Sequence, residues 1–591
     1  MTARQNHPLP GTVFSSPAFI PADQRNRNLS GIPTWLPPWA VLLWVAGVFA
    51  GVPPSSVSAV SDIAALQPML HLLVGGRAMV VPPVTTTCQP SGRGTDYPVG
   101  PGQSYASLAD VDWDVLGPGD TVRIHWRPQP YKEKIVIRTD GSERDPIRIC
   151  GVPGPDGQRP VLDGDGARND PDDAQAYGTY APMEGLAMVM IWNRDYDRKV
   201  HNIVIDGLHI RNAKNSFFYT RMNGSRDRYG DGAACIRVQA GDNIVIRDNE
   251  LENCGNGIFT MSQGYNEAHL TRNILIEGNY LYGHGQPGSY LEHGVYIQAI
   301  GATYQYNRFG PNAPGAEGAT LKERVAGSVI RYNWFDSGST RVLDLVEVED
   351  AAPWYIEQAY RDWAAAEGVD IDPDRLARVQ AAEAAYRTTF VYGNFIRHLG
   401  SVTPASNLIH YGWDNDPVLA RRGTLYFYNN TMSLLNDRDD AWRIRLFDMY
   451  PYPGGPAAER VEAFNNIVYL APETGGNIPS YLCFGRDSGT ISLGVNWVTS
   501  TWRSSEAQVE CYPDPGTRPV VTGTANLVDT DGDRQPIDTE TLDPRDLASI
   551  RDRAQPLPAG SANHQVRHQY VRHLAGERRP GNGDLGAMEL P

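Results

Sequence analysis

The chain has 591 residues, a formal net charge of -16 and only 20% charged side chains, with 59 Gly, 45 Pro and 29 Tyr. That balance excludes general affinity for nucleic acid or an acidic membrane surface, because a polyanionic partner would have to meet a local basic strip; the many turn formers and aromatics exclude extended disorder. The length exceeds that of a typical single core, but a solenoid grows by repetition and needs no second one.

Residues 1–28 are rich in Pro and Asn and read as a disordered extension. Residues 29–61 carry no charge and centre on a 14-residue apolar run from Trp39 to Val52. Arg25 and Arg27 precede the run, and Val57-Ser58-Ala59 offers a small-residue cleavage site. This is the pattern of a signal peptide, or of a membrane anchor if it stays uncleaved, and the run is short for a span. The expectation is an exported protein, periplasmic, extracellular or membrane-anchored, that meets a membrane only through this segment. Residues 62–94 read as a linker, and residues 95–590 as the folded domain. Cys88, Cys150, Cys235, Cys254, Cys483 and Cys511 suit an oxidising compartment. Sequence leaves their pairing open; pairing between neighbours in the chain is the simplest choice, each bridge clipping a loop or adjacent coils.

From residue 200 onward a phrase keeps returning: β-branched residues, a polar step, then Asn. It reads Ile244-Val245-Ile246-Arg247-Asp248-Asn249, then Ile274-Leu275-Ile276-Glu277-Gly278-Asn279, then Val329-Ile330-Arg331-Tyr332-Asn333, with later copies at Asn394, Asn430, Asn466, Asn496 and Asn526. Ile203-Val204-Ile205-Asp206-Gly207 reads as an early copy with Gly in place of Asn, and successive positions lie 42, 30, 54, 61, 36, 36, 30 and 30 residues apart. Each phrase is too short for a helix and suits a strand with one buried face, which only a neighbouring coil can cover. The Asn sits where the chain turns, tolerates a left-handed conformation and can bond the Asn one coil away.

This ladder resembles the right-handed parallel β-helix of the pectate-lyase-like superfamily. Tyr105 to Asp110, followed by Gly117 to Ile124, looks like the capping helix and first coil of such domains, and Asp584 to Glu589 like their closing strand. The fold expected is all-β, a single-stranded right-handed parallel β-helix. Between about 351 and 388 the pattern changes to helix formers, from Trp354 and again from Asp374, with Asp372-Pro373 as N-cap and first-turn Pro. That is an inserted helical hairpin, placed to wall a groove together with loops near 163–195, 300–318 and 412–422.

Outward residues on stacked strands form a grid along which a polymer can lie. With Ile236, Val295, Leu321, Leu343, Ile409 and Ile444 inward, alternation turns Arg237, Tyr296, Lys322, Asp344, His410 and Arg445 to one outer face, flanked by His293, Arg324, Arg341 and Glu347. Trp413 adds a stacking ring. The same polar residues would also suit an ordinary solvated sheet face, but cations interleaved with rings are the set needed to bind and deprotonate an acidic sugar.

Leu321 to Asn333 resembles the lysine-bearing coil of polysaccharide lyase family six, the alginate lyase and chondroitinase B type. The resemblance implies β-elimination on an acidic polysaccharide, with Lys322 as base, Arg341 as the neighbouring arginine and Glu317 as a calcium ligand. Asp344, Glu347, Glu349 and Asp350 complete the hard-oxygen set offered for calcium, the only cofactor expected. Crowding by Arg324 and Arg341 is expected to lower the Lys322 pKa, and His410 or Tyr296 to pass protons at the leaving oxygen. A glycoside hydrolase using Asp344 with Glu347 or Asp414, a C5-epimerase, and a noncatalytic glycan-binding β-helix are the alternatives, each as a monomer.

Overall fold

The computed structural model describes residues 87–169, 181–193, 197–337, 339, 341–402, 405–437, 442–472, 481–499, 502–503, 519–523 and 535–591. Within them the repeated phrases stack as parallel strands in three ladders, which is a parallel β-helix. One ladder carries the phrases themselves, with Ile203, Ile244, Ile274 and Ala302 in register from coil to coil. A second aligns Val189, Ile236, Ile258, Val295, Leu321, Leu343, Ile409 and Phe447. The third is a ten-stranded sheet running from Val161–Asp163 to Trp497–Val498. Val295–Gln305 and Leu321–Arg331 each serve the first two ladders, so residues 300–305, expected in a loop, are strand. The inward columns form one continuous core from Tyr97 to Val498, each fully buried Val, Leu or Ile contributing about 1.5–3 kcal/mol.

The Asn ladder is real and denser than the phrases suggested. Asn249 Nδ2 donates to Asn279 Oδ1 at 3.1 Å, and the contact repeats through Asn307, Asn333, Asn394, Asn430, Asn466 and Asn496. Asn307 fills the 54-residue gap; Tyr304 and Gln305 stand before it where the coils on either side have Ile276-Glu277 and Ile330-Arg331. The left-handed residue is the one before the ladder Asn: Asp248, Gly278, Tyr306, Tyr332, Gly393, Asn429 and Asn465 all have positive φ. Gly207 is therefore the turn residue of its coil, and Leu208 holds the ladder position, its N–H donating to Asn249 Oδ1. Tyr306 and Tyr332 tolerate a conformation costing about 1–2 kcal/mol because their rings stack, 5.7 Å apart, in a column of buried aromatics.

The insertion folds as the helices Glu357–Glu367 and Pro373–Tyr386, and Asp372 caps the second by accepting from Asp374 N at 2.9 Å. Tyr386 ties it down: its hydroxyl accepts from Val348 N at 2.9 Å and donates to Leu419 O at 2.8 Å. At the carboxyl end the expected closing strand is absent. Asp584 to Glu589 is irregular and lies along the outer face of the third sheet, where Leu585 and Ala587 join a cluster with Trp334, Phe395, Ile467 and Trp497. His564, His568 and His573 belong to this returning segment, and the His564 ring stacks on Phe390 with centroids 3.7 Å apart.

Near the start, Leu108–Asp110 forms the expected short helix and Thr121–His125 the first-coil strand. Cys88 pairs with Cys150 and Cys235 with Cys254; Cys511, and with it the third pairing, lies outside the described residues, as do Asn526, the amino extension and the signal segment. No described helix is long and apolar enough to cross a membrane.

Candidate active site

Register brings five of the six outward residues into one column: Arg237, Phe259, Tyr296, Lys322, Asp344 and His410 follow each other coil by coil. Arg445 is the exception. It pairs with Asn407, three residues before the strip position, and Asp448 stands opposite His410. The strand Ala405–Tyr411 and its partner Arg443–Met449 run longer than the strand before them, so counting from Ile444 instead of Phe447 slips the register by three. Phe259 and Asp448 both follow once the coils are aligned on Ile258 and Phe447.

The strand Leu321–Arg331 explains the centre of the site. Alternation turns Lys322 and Arg324 outward and Glu323 inward, where Glu323 lies 3.5 Å from the fully buried Arg421. Lys322 Nζ reaches Asp344 Oδ2 at 3.0 Å and Asp414 Oδ2 at 2.5 Å. Arg324 donates to the Tyr296 hydroxyl at 2.8 Å and pairs with Asp414 at 2.9 Å, Glu349 at 3.0 Å and Glu347 at 3.2 Å. Asp414 comes from the loop after Ala405–Tyr411, and Glu347 holds that loop by accepting the backbone N–H groups of Asp414, Asn415 and Asp416 at 2.8, 2.7 and 2.8 Å.

Asp344 is the hub. Besides Lys322 it meets Arg341 at 3.3 Å and His410 Nδ1 at 2.7 Å. Burial alone would raise its pKa, but Lys322, His410 and Arg341 outweigh burial and hold it well below the ordinary carboxylate range. A carboxylate can only accept, so His410 Nδ1 donates; Nε2, buried without a hydrogen-bond partner among the described residues, keeps its lone pair in the neutral ring. The Tyr450 ring lies 4.4 Å from the His410 ring, and its hydroxyl accepts from Arg341 at 2.7 Å. Trp413 closes the edge, its indole N–H donating to Tyr450 O at 3.1 Å. Tyr450 is two residues beyond Asp448 and escaped the sequence reading through the same slip of register.

Lys322 is not the neutral base expected from its sequence neighbours. Burial would lower its pKa, but Asp344 and Asp414 overcome burial and carry it above its ordinary value, so it stays an ammonium. Tyr296 is raised by burial against the opposing pull of Arg324 and stays a phenol. His293 is buried, pushed down to about 3 by burial and by Lys322, and uses Nδ1 to accept from Ala319 N at 2.9 Å. Arg237, three coils before Lys322, lies over the Phe259 ring at 4.1 Å.

The glutamates expected to hold calcium do not form a ligand set. Glu347 is committed to three backbone donors and Arg324, Glu349 bonds Arg324 and Asn415, and Glu317 is exposed on another loop, its backbone N–H donating to Ser289. Among the described residues the one group of three His, Cys, Asp or Glu with ligand atoms within 4.8 Å is Cys235, Cys254 and His284, and its sulfurs are joined in a disulfide.

No protein-family model matches the chain, and no curated protein does. Among solved structures it is similar to an alginate lyase from a Paenibacillus species, at 13% identity over 62% of this chain and 92% of that one, with a TM-score of 0.33. A rhamnogalacturonan lyase matches at 12% identity over 77% and 95% of the two chains, TM-score 0.37, and a pectate lyase at 11% over 85% and 99%, TM-score 0.28. At that distance the likenesses carry no argument about chemistry; the fold rests on the chain's own parallel ladders.

Proposed function

We propose that the chain is an exported polysaccharide-active enzyme that cleaves a uronate-containing glycan by β-elimination on the outer strip of the second ladder. The observation that carries this reading is the convergence of Lys322, Arg341 and His410 on the single carboxylate of Asp344. The two cations neutralise the substrate carboxylate, which makes the C5 proton removable. His410 Nε2 takes that proton as the C5–H bond breaks, the C4–C5 double bond forms and the C4–O bond cleaves. The Tyr450 hydroxyl, which accepts from Arg341 and so has its own proton to give, protonates the departing oxygen. His410 is fully buried against the Tyr450 ring, so productive binding requires that ring to tilt while its hydroxyl stays on Arg341.

Hydrolysis by paired carboxylates is the second reading, favoured by Asp344 and Asp414 sharing Lys322. It requires one of the pair to hold a proton at working pH. Burial raises Asp414, but Arg324 and Lys322 pull it below its ordinary value, as Lys322, His410 and Arg341 do for Asp344, so neither is a proton donor.

The test is ultraviolet absorbance of a conjugated unsaturated uronate, followed on alginate, pectate, glycosaminoglycans and bacterial exopolysaccharides, with calcium and with chelator. A rise on one glycan that survives chelation is the expected result. Reducing ends without absorbance would replace elimination by hydrolysis, solvent exchange at C5 without cleavage would point to epimerisation, and binding without turnover to a glycan-binding module.

A further inference from the structure

A cavity of about 720 Å³ opens where the helical insertion faces the loop between the strands Asn256–Thr260 and Arg272–Glu277. Its wall is built around Arg375. That side chain is only 9% exposed, and its guanidinium sits 3.7 Å from the Trp354 ring centroid and 4.5 Å from those of Tyr360 and Trp363. Nε and Nη2 are buried with no hydrogen-bond partner among the described residues. A buried guanidinium without an acceptor costs free energy unless a ligand supplies one. Burial holds its pKa below the ordinary value, whereas Arg272 nearby is raised by Glu267 against burial.

The acidic groups beside Arg375 are already committed. Glu267 is bonded by Arg272 at 2.7 and 2.9 Å and by Lys199 at 2.6 Å, and Asp372 caps the helix Pro373–Tyr386. Arg378, exposed on the next turn, adds a second cation. Tyr265, 50% exposed at the mouth, stacks on Trp363 with centroids 5.4 Å apart and gives a flat ring face beside the cations. A guanidinium fork matches a carboxylate, and an aromatic face suits the apolar face of a pyranose.

We propose that this cavity is a second carbohydrate site, which takes a carboxylate-bearing sugar of an acidic glycan on Arg375 and Arg378 with Tyr265 beneath the ring. The inference rests on the acidic-glycan reading above. The loop that forms it leaves the strand bearing Phe259, the residue paired with Tyr296, so the cavity belongs to the coil next to the reacting strip. A chain held there is retained near the strip between cuts.

The test is saturation-transfer NMR of D-glucuronate and D-galacturonate against D-glucose and acetate, on the full chain and on Arg375→Met, Arg378→Ala and Tyr265→Ala. Expected are uronate binding above both controls, at least about 10-fold weaker in Arg375→Met, and clear losses in the two exposed-residue variants, which keep the fold if Arg375→Met does not. Acetate binding as well as a uronate, glucose binding as well as a uronate, or uronate binding unchanged in Arg378→Ala and Tyr265→Ala would overturn the site. Uronate binding that depends on these residues, with every glycan left uncleaved, would sink the elimination reading and leave the site standing. Cleavage with no uronate bound here would do the reverse.

Discussion

Asp344 and His410 occupy the same register position on adjacent coils, and their side chains meet at 2.7 Å. The carboxylate fixes which ring nitrogen carries the proton, and so which one is a base. His410→Ala is expected to lower kcat by about 10²- to 10⁴-fold. Asp344→Asn, which can no longer hold the tautomer, is expected to fall comparably. Initial rates of unsaturated product on the responding glycan measure both; a wild-type rate in His410→Ala would remove it from the chemistry.

The register also separates two arginines that look alike in sequence. Arg341 meets the hub carboxylate and Tyr450, whereas Arg445 lies beside Asn407, off the strip. Arg341→Ala is expected to lose about 100-fold or more in kcat/KM, with Arg445→Ala staying within about 2-fold. Equal losses in the two variants would mean that the strip continues through Arg445 after all.

Buried histidines set a pH dependence of stability. Burial pushes His284 and His293 down to about 3 and His398 to about 4. Between those values and the ordinary value near 6.5, the unfolded chain binds protons that the folded chain refuses, so stability is full above that upper value and falls as pH drops. Each such group contributes up to about 1.4 kcal/mol per pH unit. Urea unfolding at pH 7 and pH 5 is expected to show a loss in wild type that is smaller in His284→Gln. Identical losses would count against His284 as a source.

The Asn ladder is a stability element without a catalytic part. Asn394 donates to Ile330 O and to Asn430 Oδ1, each at 3.0 Å, and accepts from Asn333 N at 3.0 Å. Asn394→Ala leaves several buried groups unpaired and is expected to cost about 2–4 kcal/mol, with turnover per folded molecule unchanged. The urea midpoint and the specific activity of the folded fraction read the two effects separately.

Most of the architecture was legible because a strand period of two and a coil repeat are local signals: Tyr296, Lys322, Asp344 and His410 came into line from alternation alone. Two coils hid, each for a physical reason. Asn307 follows Tyr304, a large ring where the coils on either side carry Ile276 and Ile330, and Asp448 lies on a strand whose extra residues shift the count. The charge state of Lys322 was only half legible: the strip already set Asp344 beside it, but Asp414 reaches it from 92 residues away. Sequence neighbours supplied only the cations, and the carboxylates that dominate the balance arrive by folding. Arg375 was hidden, since the helix pattern shows a polar position while the structure buries it among three rings.

The returning carboxyl-terminal segment changes what kind of object the solenoid is. A stack of coils with contacts only between neighbours can fray from either end, one coil at a time. Here Arg567 N donates to the Tyr332 hydroxyl, 235 residues earlier, and the Tyr428 hydroxyl donates to His564 O across 136 residues. The segment acts as a clasp across several coils, so none of them can open without releasing it. The expected result is a single cooperative unfolding transition for the clasped coils, including the one that carries Lys322, and a chain cut before residue 535 that melts in steps.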